Sequence, residues 1–172
     1  MPINRLNHAV LYVRDADHSA DFYTQKLGFR RLPLEFPGAV FLQAEGSSND
    51  HDLGLFSIGA GAAASPAGRG AVGLYHLAWE VDTLNDLARL AAVLSEADAL
   101  VGATDHGSTK ALYGRDPDGI EFEISWLVPA DLLDEDSTPT ARRLDLDAEI
   151  DRFGADTLGG VGVSRPRIAV DS

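Results

Sequence analysis

The chain has 172 residues, 45% hydrophobic and 24% charged, which fits one compact domain assembled from small halves. Its net charge of −13 excludes a nucleic-acid surface, because phosphate binding needs clustered Lys and Arg. The absence of cysteine excludes disulfides and thiolate ligands, so any metal must be held by imidazole and carboxylate.

In chain order, the first module reads as a strand over 5–13, a helix over 16–27 and strands near 28–36, 39–45 and 51–58. Asp15 or Asp17 can cap the helix. Ala20, Phe22, Tyr23 and Leu27 give it an apolar stripe, and Gly28 ends it. Residues 59–71 are Gly- and Ala-rich with no core former, and read as a flexible linker or a lid. The second module opens with a strand over 73–81 and a helix over 83–97 carrying Leu84, Leu87, Leu90, Ala91 and Leu94 at helical spacing. Strands follow near 99–104, 109–116 and 120–127, the last two joined by the turn Asp116-Pro117-Asp118-Gly119.

The order βαβββ therefore occurs twice, over 1–58 and 72–128, and the two modules form one domain over 1–128. Residues 129–172 are an acidic C-terminal extension with one short helix over 144–153 and an extended arm beyond it. No apolar run approaches the roughly 20 residues of a membrane-spanning helix. The first five residues lack the apolar stretch of a secretory signal, so a cytoplasmic address without membrane contact is expected.

Two histidines occupy matching positions in the repeat. His8 lies in Leu6-Asn7-His8-Ala9-Val10-Leu11-Tyr12-Val13. His76 lies 68 residues later in Leu74-Tyr75-His76-Leu77-Ala78-Trp79-Glu80-Val81. In the final strand, alternation puts Ile120, Phe122, Ile124 and Trp126 on one face and Glu121, Glu123 and Ser125 on the other. An inward carboxylate needs a proton, a cation or a metal. Two imidazoles and one carboxylate form the facial triad of non-haem Fe(II) oxygenases, with open positions for substrate and O₂. Spacing alone leaves a buried polar cluster as the alternative.

The stretch from Thr104-Asp105-His106 through Ala111-Leu112-Tyr113-Gly114-Arg115-Asp116-Pro117-Asp118-Gly119-Ile120-Glu121-Phe122-Glu123 resembles the signature of extradiol ring-cleaving dioxygenases. Those enzymes belong to the vicinal oxygen chelate superfamily (glyoxalase, bleomycin resistance protein and extradiol dioxygenase), and the likeness is closest to the single-domain, catechol 2,3-dioxygenase-like type. The wider resemblance covers residues 5–128. It implies an α+β fold in which the two modules pair into a curved, cup-like mixed β-sheet with helices outside.

Carried over by position, the resemblance makes His8, His76 and Glu123 the metal ligands, with Fe(II) or alternatively Mn(II) as the ion. His106 and Tyr113 match the pair that hydrogen-bonds substrate oxygen, and His51 matches an acid–base residue near the O₂ position. Glu121 also points inward, and only the family spacing from Tyr113 selects Glu123. The implied partners are a small aromatic diol and O₂, in aromatic compound catabolism. A homodimer or higher homo-oligomer is compatible with such a chain. Two alternatives remain on the same scaffold: a glyoxalase-like lyase or isomerase, and a non-catalytic protein that binds an aromatic antibiotic. The lyases complete the metal shell with a fourth ligand from module one, where this chain has Leu53, Gly54, Leu55 and Phe56. The metal-free binders generally lack the His/His/Glu set.

Overall fold

In a computed structural model, residues 2–3, 5–68, 70–134 and 137–159 are described. The expected C-terminal arm over 160–172 lies outside the described residues, as does Arg69 of the linker. The chain divides into two compact units. The first comprises Met1–Gly73 with Asp116–Ile120, and the second Leu74–Arg115 with Glu121–Ser172.

The first unit runs β1 (Ala9–Val13), α1 (Ala16–Leu27), β2 (Arg30–Arg31), β3 (Ala39–Gln43) and β4 (Leu53–Ser57). Its sheet has the order β1-β4-β3-β2, with β1 parallel to β4 and the other pairs antiparallel. The side chain of Asp15 caps α1 by accepting from the N–H groups of Asp17 and His18. Gly28 closes the helix at φ 75°, a left-handed conformation that glycine adopts without penalty. Leu11, Val13, Leu42, Leu53 and Leu55 are buried, together with Ala16, Ala20 and Tyr23 of α1. Val10 and Tyr12, on the opposite parity of β1, are exposed.

The turn over 116–120 belongs to this unit. Asp118 accepts from the Arg14 guanidinium and backbone N–H, and Asp116 accepts from the Tyr23 hydroxyl at 3.2 Å. Asp116 Oδ1 also caps the turn's own N–H groups at Asp118 and Ile120. Burial pushes the Asp116 carboxyl above the usual range, despite the three hydrogen bonds that oppose it.

The second unit repeats the plan: β5 (Leu77–Glu80), α2 (Leu84–Glu96), β6 (Leu100–Asp105), β7 (Thr109–Arg115) and β8 (Glu121–Leu127). Its strand order is β5-β8-β7-β6, again with the first pair parallel and the others antiparallel. Identical order and orientation in both sheets bear out the βαβββ repeat. Thr83 caps α2, and Leu84, Leu87 and Leu94 are fully buried. Gly119 sits at φ 82°, as the Asp-Pro-Asp-Gly turn requires. The architecture is mixed α+β, as expected, with two open sheets of four and five strands.

Several boundaries differ from the sequence expectation. The run over 28–36 is a strand only at Arg30–Arg31, because Pro33 has no N–H to give a ladder and Pro37-Gly38 turns the chain. β1 and β5 begin at Ala9 and Leu77 rather than at 5 and 73, so each histidine stands one residue before its strand rather than inside it. Exposed residues precede both, including Leu6, Leu74 and Tyr75, and apolar character there does not correspond to pairing. The helix expected over 144–153 is α3 (Leu146–Phe153), capped by Asp145.

A strand that the sequence did not suggest, β9 (Arg142–Arg143), pairs antiparallel with β6 as the fifth strand of the second sheet. The described part of the C-terminal extension thus belongs to the second unit. α3 packs on α2, and Phe153 lies 5.5 Å from the fully buried Trp126. Among the described residues, no helix is long and apolar enough to cross a membrane.

Candidate metal and substrate site

β5 and β8 run side by side with Ala78 opposite Glu123, which brings His76, two residues before Ala78, to the same face. His76 Nε2 stands 3.1 Å from Glu123 Oε2. The other carboxylate oxygen accepts a 2.6 Å hydrogen bond from the hydroxyl of Ser125, a buried residue one step along the same face. Glu121, the alternative inward acid, is bound instead by the Arg115 guanidinium at 2.7 Å. Of the two carboxylates, only Glu123 faces the imidazole.

His76 Nδ1 is buried and has no hydrogen-bond partner among the described residues. A buried imidazole nitrogen without a protein partner calls for one from outside the chain. Aromatic rings flank His76, with Tyr75 at 4.5 Å and Tyr113 at 5.6 Å between centroids.

Tyr113 is the direct cross-strand neighbour of Glu123. Its hydroxyl pKa is pushed up to about 12, first by desolvation and then by the charge of Glu123 and a hydrogen bond to it. Both Glu123 effects favour the neutral phenol, so this hydroxyl is a donor over the whole ordinary pH range. It also lies 2.9 Å from His106 Nε2, while His106 Nδ1 is 3.1 Å from the backbone carbonyl of Thr140. His76, Glu123, Tyr113 and His106 therefore form one continuous chain of polar contacts and ring contacts within the second unit.

His8 and His51 belong to the first unit, where their rings lie 4.4 Å apart. His8 is exposed, and Asn7 Oδ1 lies 2.7 Å from its Nδ1. His51 is half-buried and meets the Phe41 ring edge-on at 5.2 Å; Phe41 in turn contacts Phe56 and Phe36. The neighbouring Asp52 is buried and fastens the preceding loop, accepting from the Ala44 N–H, the Ser47 hydroxyl and the Asn49 amide. The exposed Asp50 carboxylate is held below its ordinary pKa chiefly by the His51 N–H. His18 is exposed on α1, as its position at the start of the helix implies.

Whether these residues suit a metal can be tested on the His76–Glu123 pair. Two ligand atoms about 2.1 Å from a divalent ion at right angles stand about 3.0 Å apart. The observed 3.1 Å separation fits two adjacent positions on one ion, and a neutral imidazole with a carboxylate is the donor chemistry such an ion takes. Among the described residues, no three His, Asp or Glu side chains are gathered closely enough to hold an ion.

Three contributors escaped the sequence reading of the site. Ser125 was legible as an inward residue but not as the partner of Glu123. Tyr75 precedes β5 and carries no pattern. Thr140 acts through its carbonyl, which no residue type announces.

The sequence matches the profile of the Glyoxalase/Bleomycin resistance protein/Dioxygenase superfamily over residues 5–124. It is 32% identical over 120 residues to the biphenyl-2,3-diol 1,2-dioxygenase 2 of Rhodococcus globerulus, a match covering 68% of this chain and 60% of that protein. Among solved structures, a glyoxalase/bleomycin resistance protein/dioxygenase domain from Frankia sp. EAN1pec aligns with TM-score 0.60 at 24% identity, over 75% of this chain and 96% of that one. A lactoylglutathione lyase from Agrobacterium tumefaciens aligns with TM-score 0.53 at 24% identity, over 73% and 95%. The fosfomycin resistance protein FosX from Listeria monocytogenes gives 0.55 at 15%, over 72% and 93%. These structural likenesses concern the fold alone.

Proposed function

The chain belongs to the glyoxalase/bleomycin resistance protein/dioxygenase superfamily, and on that premise we propose that it is a metal-dependent extradiol dioxygenase acting on a catechol-type aromatic diol. The observation that carries this reading is the His76–Glu123 pair set beside a neutral Tyr113 hydroxyl that is itself joined to His106. His8 is the third ligand in this reading, and His51 the acid–base group at the O₂ side. Fe(II) is the ion, with Mn(II) the alternative.

When bound, the ion supplies Lewis acidity that lowers the pKa of the two phenolic hydroxyls and a path for electrons from the diol to O₂. The chain's own residues do the rest. Ser125 holds the Glu123 carboxylate in a fixed orientation, as the outer partners of metal ligands do. Tyr113 stands between the diol and His106, and its raised pKa favours the neutral phenol, so a proton its oxygen takes from the substrate is matched by release of its own proton to His106. His106, joined to that hydroxyl, is placed to receive its proton and return it. The rings of Phe36, Phe41 and Phe56 beside His51 are apolar surface on which an aromatic substrate could pack. In balance, the carbon–carbon bond next to the diol breaks, both oxygen atoms enter the ring-opened product, and the substrate itself supplies the electrons.

The lyase alternative requires a fourth ligand, and β4 offers Leu53, Gly54, Leu55 and Phe56 in its place. The name of the Rhodococcus relative makes an aryl-substituted catechol such as biphenyl-2,3-diol a first member of the substrate panel. Full-length protein reconstituted anaerobically with Fe(II) and then given diol and air should consume one O₂ per diol and form a yellow ring-fission product. Absence of oxygen uptake across a panel of catechols would overturn the proposal.

A further inference from the structure

The imidazole of His106 is held at both nitrogens, and the partner on the Nδ1 side comes from outside the βαβββ repeat. A carbonyl oxygen only accepts, so the 3.1 Å approach of Nδ1 to the Thr140 carbonyl puts the proton on Nδ1. In the neutral ring, Nε2 is then bare and faces the Tyr113 hydroxyl at 2.9 Å as an acceptor. A free neutral imidazole leans toward the opposite tautomer, so this arrangement needs the carbonyl to be fixed in place.

The segment carrying that carbonyl is fastened on both sides. β9 pairs with the end of β6 at Thr104↔Arg143 and Asp105↔Arg142, and the Leu144 N–H donates to the Ala103 carbonyl at 3.3 Å. The Arg142 guanidinium reaches Asp105 Oδ2 at 3.2 Å, while Asp105 Oδ1 accepts from Lys110 and from the Gly107 N–H. Gly107 adopts φ +83°, and the carbonyls of Ser137 and Thr138 close over it so tightly that a Cβ there would collide with both. The residue that turns the backbone after His106 is thus packed directly against the segment that orients its ring.

We infer that residues 137–143 are a positioning segment for His106, whose Thr140 carbonyl fixes the Nδ1–H tautomer and so presents a bare Nε2 to Tyr113. The consequence for chemistry rests on the proposed role of the His106–Tyr113 pair. When the Tyr113 oxygen takes a proton from a substrate hydroxyl, its own proton passes to His106 Nε2. The resulting imidazolium keeps its Nδ1–H bond to Thr140, so the positive charge forms against a carbonyl dipole already in place. Thr140 and Arg142 act through His106 and touch no substrate.

The test is a long-range ¹H–¹⁵N correlation spectrum of the full-length protein labelled at histidine, without added metal, at a pH well above the ordinary imidazole value of about 6.5. His106→Asn assigns the signals by their loss. The expected result is a protonated Nδ1 and an unprotonated Nε2 for His106. Gly107→Ala, which pushes the segment away, and Arg142→Ala, which loosens its pin, should each move intensity toward the Nε2–H form, and Arg142→Lys should retain the wild-type pattern. A wild-type His106 protonated on Nε2 would overturn the inference. So would an unchanged tautomer in Arg142→Ala and in any folded Gly107→Ala; if Gly107→Ala does not fold, Arg142→Ala decides alone. None of these readouts requires turnover, so a failure of the dioxygenase reading leaves them standing.

Discussion

Lys110 gives the sharpest stability prediction. Its side chain is 1% exposed, with Nζ 2.6 Å from Asp105 and 3.0 Å from Glu149, and it lies over the Phe153 ring. Burial alone would raise the Asp105 pKa. The hydrogen bonds from Lys110 and the Gly107 N–H, with the charges of Lys110 and Arg142, more than offset this and hold it below the usual carboxylate range. Lys110→Met keeps the aliphatic volume but leaves two enclosed carboxylates short of their cation. Removing one partner of a buried pair costs about 3–5 kcal/mol. In a chain of this size each kcal/mol moves Tm by about 2–4 °C, so Tm should fall by roughly 6–20 °C.

The pH dependence follows from the sign of the shift. A depressed folded-state pKa contributes stability above the unfolded value of about 3.9, and that stability is lost as pH falls through the folded value. In the variant the hydrogen bond and charge of Lys110 no longer favour ionised Asp105, so the difference from wild type shrinks once the carboxyl is protonated. The gap between wild type and variant in denaturant unfolding should therefore be widest at pH 7 and narrow below about pH 4. A loss under about 1 kcal/mol at pH 7, or a gap that does not change with pH, would refute the reasoning.

Other expectations are open to direct measurement. Ser125→Ala should weaken metal binding about 10–100-fold in a competition titration, because Glu123 loses the partner that orients it. Tyr113→Phe should retain full metal content while kcat falls about 10²- to 10⁴-fold. In an ultraviolet pH titration of the four tyrosines, Tyr113 should ionise late, near 12, with Tyr23 also delayed by burial and by Asp116, and Tyr113→Phe should remove one of these late transitions. Asp116 has the opposite sign from Asp105. Its raised pKa gives stability that is present below the usual carboxyl range and lost as pH rises through the folded value, so Asp116→Asn should flatten the stability profile above the unfolded value of about 3.9.

The repeat and the inward acid were legible because each follows from periodicity. Alternation along β8 buries Phe122, Ile124 and Trp126 and turns Glu123 toward β5, where the repeat had placed His76. The start of α1 was legible for a related reason: the side chain of Asp15 satisfies open N–H groups. β9 was not legible, because two arginines carry no apolar alternation, and it is held by backbone pairing and by the Arg142–Asp105 ion pair. Nor was the ion cluster of Asp105, Lys110, Arg142 and Glu149, since charge at those positions reads as solvated surface until tertiary packing encloses it. That Glu123 rather than Glu121 faces His76 was likewise hidden from alternation; Arg115, the residue before the turn, binds Glu121.

The proposed metal ligands are His8, His76 and Glu123. The most direct test is metal content per chain after anaerobic loading with Fe(II) and removal of unbound ion, comparing wild type with His8→Ala, His76→Ala and Glu123→Ala while circular dichroism confirms the fold. One equivalent is expected in the wild type, with loss of tight binding in each folded variant. Undiminished metal in any of the three would contradict that ligand's assignment.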